Sequence, residues 1–181
     1  MKRCSWCTED EVYRKYHDEE WGRAVYDDRV LFEFLILEGA QAGLSWITIL
    51  KKREAYREAF DGFDFEKVSC YGEEDVERLM GNSGIVRNRR KILSAINNAK
   101  RFVEIRLEFG SFSDYLWRFV DGEVVVGDGS LVSNELSDGV SLDLKKRGFS
   151  FVGTVIVYSF LQAVGVVRNH EKECFLWSEE L

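Results

Sequence analysis

Proline is absent from the 181 residues, histidine occurs twice, cysteine four times, and no apolar run is long enough to cross a bilayer. Each scarcity excludes something. A chain with no proline and few alternating apolar and polar stretches does not read as a barrel or sandwich of short strands, so an all-α fold is expected. The N-terminus lacks the charged, apolar and small-residue succession of a secretion signal, which points to a cytoplasmic protein with no membrane partner. Thiols stay reduced in that compartment. Cys4, Cys7, Cys70 and Cys174 therefore read as ligands or core fillers rather than disulfide partners. Cations are also in deficit, 25 against 32 acidic residues for a net charge of −7, which argues against indiscriminate polyanion binding. Any nucleic-acid contact must come from local patches. What remains is a chain the size of one domain or two small lobes, 45% apolar and able to bury a real core.

Helices account for nearly every segment. Asp28 is a candidate cap for "RVLFEFLILE", where Leu31, Phe34, Leu35 and Glu38 fall on one stripe, and "GAQAG" is expected to break that helix. Ser45 can cap "WITILKKREAYREAF". A short helix at "EEDVERLM" leads through "GNSGIVRNRRK" into another carrying Ile92, Ile96, Ala99 and Val103, giving helix, tight turn, helix. "GEVVVGDGSLVS" reads as loop or a stray strand, and "LDLKKRG" as the cationic end of a helix with a stop glycine. "TVIVYSFLQAVG" is ambiguous. Its β-branched residues favour strand, whereas its length, Thr154 as a cap and Gly165 as a stop favour a buried helix.

Three constellations can carry chemistry. His170 and Cys174, at the spacing of one helical turn near the C-terminus, can reach one metal ion, and a structural zinc site needs two more ligands. Cys4 with His17 completes a Cys2His2 set that joins the two ends of the chain. Cys4 with Cys7 completes a rival set, and spacing does not rank the two. Glu38 is the second feature. A carboxylate on an apolar stripe needs a partner or a shifted pKa, and Trp6, Tyr13, Tyr16, Trp21 and Trp46 lie in the same quarter of the sequence, enough to wall a pocket for a flat, electron-poor ligand. The third is "SGIVRNRRK". Amides exposed at a glycine turn beside a helix N-terminus can hold a phosphate, and Arg87, Arg89, Arg90 and Lys91 supply local positive charge, with "LKKRE" and "LKKRG" extending it.

Taken together, "RCSW", "YHDEEWG", "LEGAQAGLSWITILKKRE", "SGIVRNRRKI", "LKKRGFSFVG" and "NHEKEC" closely resemble the 3-methyladenine DNA glycosylase I family, in order and over essentially the whole chain. The resemblance implies a helix-hairpin-helix fold in which residues 1–181 form one glycosylase unit of two helical lobes. A hairpin lobe spans about 28–120, and a terminal lobe is built from 1–27 and about 121–181. It implies Cys4, His17, His170 and Cys174 as ligands of one structural Zn2+, with Cys7 outside the set, and makes "TVIVYSFLQAVG" a helix. It implies Glu38 as the acidic residue of the base pocket between Tyr16 and Trp46. Gln41, Gly43 and Leu44 belong to the loop that enters DNA, and Gly84, Arg87 and Arg89 to the phosphate-binding hairpin. Only 121–137 departs from the family pattern, together with the extra thiol of Cys7 and an aspartate, present downstream of the hairpin in many such glycosylases, that has no counterpart here.

The activity so implied is hydrolysis of the N-glycosidic bond of 3-methyladenine in alkylated double-stranded DNA by a monomer. Alkylation makes the base cationic and a better leaving group, so orienting a flipped nucleotide can do much of the work. No lysine stands where a Schiff-base nucleophile is needed, which disfavours lyase chemistry. Two rivals are a zinc-stabilised module that binds damaged nucleic acid without cleaving it, and a sensor or enzyme for a free purine.

Overall fold

The computed structural model describes residues 1–127 and 129–177. Among them the chain forms α1 (Glu11–Glu19), α2 (Asp28–Gln41), α3 (Trp46–Ala59), α4 (Phe65–Ser69), α5 (Glu73–Gly81), α6 (Arg89–Phe109), α7 (Phe112–Trp117), α8 (Glu135–Lys146) and α9 (Thr154–Ala163). Two strands of two residues, β1 (Val125–Val126) and β2 (Val167–Arg168), pair in parallel with Val125 opposite Val167. The mostly helical expectation is met, and no helix among the described residues is long and apolar enough to cross a membrane.

α2 is buried without interruption from Leu31 to Ala40. A helix with no solvated face belongs at the centre, and α3, α6, α7 and α9 pack around it. Of the two expectations about its ends, the cap needs correction and the break holds. Asp27, not Asp28, is the cap: its carboxylate accepts from the amides of Arg29 and Val30 at 2.9 and 3.0 Å. Asp28 instead accepts from the amides of Phe112 and Ser113, so it caps α7 from outside. The helix ends inside "GAQAG", as expected, with Gln41 its last residue. Gly39 stays helical, where a Cβ would stand 3.4 Å from Phe151 Cβ, and the backbone reverses at Gly43, where φ is +78°.

α9 resolves the ambiguous stretch as a helix. Gly153 holds the cap position and Thr154 is the first helical residue, its hydroxyl donating to Asp138. Burial of Val157, Tyr158, Phe160, Leu161 and Ala163 outweighs the strand preference of the β-branched residues. Ser45 does precede α3, but its hydroxyl pairs with that of Thr48 and caps no amide. The turn between α5 and α6 is seated on α3: a Cβ on Gly84 would stand 2.7 Å from Ala55 Cβ, and the Lys52 ammonium donates to the carbonyls of Ser83 and Gly84 at 3.1 and 3.3 Å. The 121–137 stretch is largely exposed, β1 included, until Ser137 is buried in the first turn of α8, and Asp128 lies outside the described residues.

The N-terminal segment is tied to the end of α9 by backbone hydrogen bonds, Gly22 N–H to Gln162 O at 3.1 Å and Val25 N–H to Val164 O at 3.0 Å. Gly165 makes that crossing possible. Its φ is +70°, and a Cβ there would fall inside the van der Waals envelope of the Arg23 carbonyl group. Backbone has to move to relieve this overlap. Gly165→Ala should lower the unfolding free energy by roughly 3 kcal/mol or more, measured by urea denaturation.

Candidate active site and metal centre

Four helices, the N-terminal loop and the turn after α1 converge on a pocket of about 180 Å³. Trp6 comes from the N-terminal loop, Tyr13 and Tyr16 from α1, Trp21 from the turn after it, Glu38 and Gln41 from α2, and Trp46 from the first turn of α3. All five aromatics selected from the sequence line this one cavity. Tyr16 and Trp46 lie 5.6 Å apart between ring centroids, and Trp6 packs on Tyr13 at 5.3 Å and on Trp21 at 4.9 Å. The volume is below the roughly 300–1,000 Å³ of drug-sized sites and suits one flat ring. Ser159 and Gln162 of α9 complete the lining. Sequence reading missed both, because a serine and a glutamine in an apolar helix carry no signal until the helix is placed.

Two acids of α2 are buried, and their surroundings are opposite. Glu33 accepts from Arg53 and from Arg57, the latter at 2.9 Å, and Arg53 also reaches Glu20 at 2.6 Å beyond the end of α1. This network joins α1, α2 and α3. Glu38 is 3% exposed, and no hydrogen bond or ion pair reaches its carboxyl among the described residues. Burial alone pushes it up to about 8. The pocket therefore ends in an acid that ionises readily only when a ligand supplies a donor or a positive charge.

The four ligand atoms of Cys4, His17, His170 and Cys174 lie within 4.8 Å of one another. Cys7 is not among them. The structure therefore brings together the first of the two sets that spacing left open. His170 and Cys174 meet through a series of turns rather than the helical turn expected, with Nδ1 3.7 Å from Sγ. Cys4 Sγ to His170 Nδ1 is 3.6 Å and Cys174 Sγ to His17 Nε2 is 3.5 Å. A tetrahedron with metal–sulfur bonds of about 2.3 Å and metal–nitrogen bonds of about 2.1 Å has edges of about 3.6 Å, so these four groups fit a metal ion. Each sulfur accepts a backbone N–H, Cys4 from Glu171 at 3.4 Å and Cys174 from Leu176 at 3.5 Å. His17 Nδ1 lies 2.8 Å from Asp18, itself held by both arms of Arg3, leaving Nε2 for the ion. The imidazoles also touch the pocket, His17 against Trp6 at 5.2 Å and His170 against Trp21 at 4.7 Å between centroids.

The cationic run after the hairpin divides in two. Arg87 and Arg90 are exposed with no ion pair among the described residues. Arg89 is held by Glu73 and by Glu77, the latter at 2.6 Å, and Lys91 donates to the carbonyls of Ala40 and Ala42, so neither stands free for phosphate. The run at 50–54 is engaged as well, Lys51 with Asp10, Lys52 with the hairpin and Arg53 with Glu33, whereas at 144–148 Arg147 pairs with Glu108 and Asp143 and Lys145 and Lys146 are exposed with no ion pair among the described residues. Adjacent cations in sequence therefore do not form one basic patch. Gln41 ends α2 at the pocket rim, and Gly43 and Leu44 form the exposed turn beyond it.

Residues 6–177 match the profile of the family described as methyladenine glycosylase. The chain belongs to that family. Its members are hydrolases acting on N-glycosyl bonds. DNA-3-methyladenine glycosylase 1 of Escherichia coli (strain K12) is 48% identical over 179 residues, covering 96% of each chain. A crystal structure of 3-methyladenine DNA glycosylase I superposes with a TM-score of 0.94 over 98% of this chain and all of that one, at 48% identity. A Staphylococcus aureus structure, solved to explain 3-methyladenine recognition by that family's enzyme, is 42% identical with a TM-score of 0.92, covering 96% of this chain and 95% of that one.

Family membership leaves the Glu38 environment to be tested in this chain. Its carboxyl binds a proton up to about pH 8 when folded and up to about 4.5 when unfolded. Between those limits the folded state holds the extra proton, so stability falls as pH rises. Glu38→Gln removes this linkage. The variant should melt within a degree of the parent at pH 5 and several degrees above it at pH 9, a gain of up to a few kcal/mol by calorimetry.

Proposed function

We propose that this chain performs base excision on alkylated double-stranded DNA, hydrolysing the N-glycosidic bond of 3-methyladenine and releasing the free base. The carrying observation is Glu38, an unpartnered buried acid at the end of an aromatic pocket sized for one ring. The relatives named for this activity support the assignment.

A nucleotide inside a duplex cannot reach such a cavity, so the target must swing out of the stack. Leu44, 40% exposed on its glycine turn, is the apolar wedge, and Gln41 fills the vacated position. Once inside, an alkylated adenine meets Tyr16 and Trp46 on its faces. Its positive charge favours the ionised form of Glu38, which then accepts from the exocyclic amine. Normal adenine brings no charge, so the same acid costs it desolvation without that return. The cationic base is already a good leaving group, and holding it while water attacks the sugar suffices for catalysis. No lysine lines the pocket, which supports hydrolysis by a monofunctional enzyme with no lyase step.

In this reading α5, the turn at Gly84 and α6 act as a helix-hairpin-helix element that grips phosphates without reading sequence, with Arg87 as its free cation and Arg89 as a structural one. Cys4, His17, His170 and Cys174 hold one structural Zn2+, which neutralises two thiolates and fixes the segments that carry Trp6, Tyr16 and Trp21. The unit spans 1–181, works as a monomer in the cytoplasm, and needs no other cofactor.

Methylated duplex DNA incubated with the protein should release 3-methyladenine, read by chromatography separately from 7-methylguanine. Absence of 3-methyladenine would refute the proposal. Glu38→Gln should slow release roughly 10- to 100-fold, the loss of a charge-assisted hydrogen bond, with binding to undamaged DNA retained. For the metal, Cys7→Ser should keep one zinc per chain by atomic absorption while His17→Ala loses at least half of it after dialysis. The opposite pattern would select the other ligand set.

A further inference from the structure

Lys91 sits in the first turn of α6, where a cation opposes the helix dipole and gains nothing from its own helix. Its ammonium is turned away from solvent and donates to Ala40 O at 2.7 Å and Ala42 O at 2.6 Å, the last carbonyls of α2. α2 has no basic residue in its own last turn. Among the described residues, the bond to Ala42 O is also the only hydrogen bond that ties 42–44 to another part of the fold. The remaining three stay local, Ala42 N–H to Gly39 O at 3.4 Å, Leu44 N–H to Gln41 O at 2.7 Å and Gln41 Nε2 to Leu44 O at 3.4 Å.

We infer that Lys91 is a positioning residue that couples the hairpin helix to the turn bearing Gln41, Gly43 and Leu44, and that it makes no contact with DNA phosphate. A turn containing a glycine with positive φ is intrinsically loose. Two charge-assisted hydrogen bonds, one to the last helical turn at Ala40 and one to the turn's first carbonyl at Ala42, fix where it leaves α2, and because the donor belongs to α6, the geometry set by the hairpin on the backbone is passed to the residues that enter the stack. This rests on the reading of 41–44 as the inserting turn given above.

The experiment compares the parent with Lys91→Met and Lys91→Arg below their melting temperatures. Three quantities are read: single-turnover base release from methylated duplex, affinity for undamaged duplex across a salt series, and amide hydrogen exchange at 42–45. Lys91→Met should release base at least tenfold more slowly, exchange the 42–45 amides faster, and keep the parental salt slope. Lys91→Arg, which retains a donor, should fall between. A salt slope reduced by about one would mark Lys91 as a phosphate contact and overturn the inference. Unchanged exchange and release in Lys91→Met would overturn it as well. If the parent itself releases no base, the proposed function fails, and exchange at 42–45 still decides whether Lys91 holds the turn.

Discussion

A carboxyl group held out of water with nothing to bond it is unfavourable, and most of this fold can be understood as what keeps Glu38 in that condition. The cost falls on a helix with no solvated face, so the acid cannot swing out to the surface without unseating α2 from α3, α6, α7 and α9. The nearest buried cation is denied to it. Arg53 is taken up by Glu33 and Glu20 and lies over the Phe34 ring at 5.0 Å, with Phe34 in turn against Tyr16 at 6.3 Å. Had that guanidinium reached Glu38 instead, the acid would be ionised and paired, and the pocket would hold no unmet demand for a positive ring.

The same demand explains why the metal ligands come from the two ends of the chain. Trp6 and Tyr16 adjoin ligands in sequence, and Trp21 packs on His170, so wall and clasp are one piece of chemistry seen from two sides. Ser5 bonds the Glu171 carboxylate through both its amide and its hydroxyl, and the Phe175 amide reaches Lys2 O at 2.9 Å. These contacts align two strands of chain that have no helix of their own. Closing so long a loop with an ion would add stability mainly by restricting the unfolded ensemble, and it would set the aromatic rings at fixed distances where loop backbone alone lets them drift.

Features that depend on periodicity or on rare residues were legible in the sequence. Glu38 interrupts an apolar stripe, five aromatics crowd one quarter of the chain, and with two histidines the metal sets reduce to two. Features that depend on which partner a common residue finds were not. The run from Arg87 to Lys91 reads as one basic patch, yet Arg89 turns to acids on α5, Lys91 turns to carbonyls on α2, and only Arg87 and Arg90 face water unpaired. Charge in a sequence has no direction. Glu33 and Glu38 illustrate this further: both acids are buried on one helix, and only the position of α3 decides that one is paired and the other left open. The end of α2 was legible in "GAQAG", but which of its two glycines turns the chain was not: Gly39 stays helical, and Gly43, at φ +78°, makes the reversal.

The use of cations inside the fold has a consequence for how such a protein meets DNA. With a net charge of −7 and Arg53, Arg89 and Lys91 engaged within the fold, a protein of the proposed function has little long-range attraction to a polyanion and releases few counterions when it docks. Weak attraction to undamaged duplex shortens each encounter. On that reading, discrimination falls on the step at which a base is offered to the pocket, where Glu38 would reward only a ring that brings charge or a well-placed donor. A more basic surface would lengthen every encounter equally and leave that ratio unchanged, since phosphate contacts carry no information about the base. The economy of free cations and the isolation of Glu38 therefore serve one end: selection is concentrated in the pocket, where a single proton or methyl group on the base alters the electrostatics most.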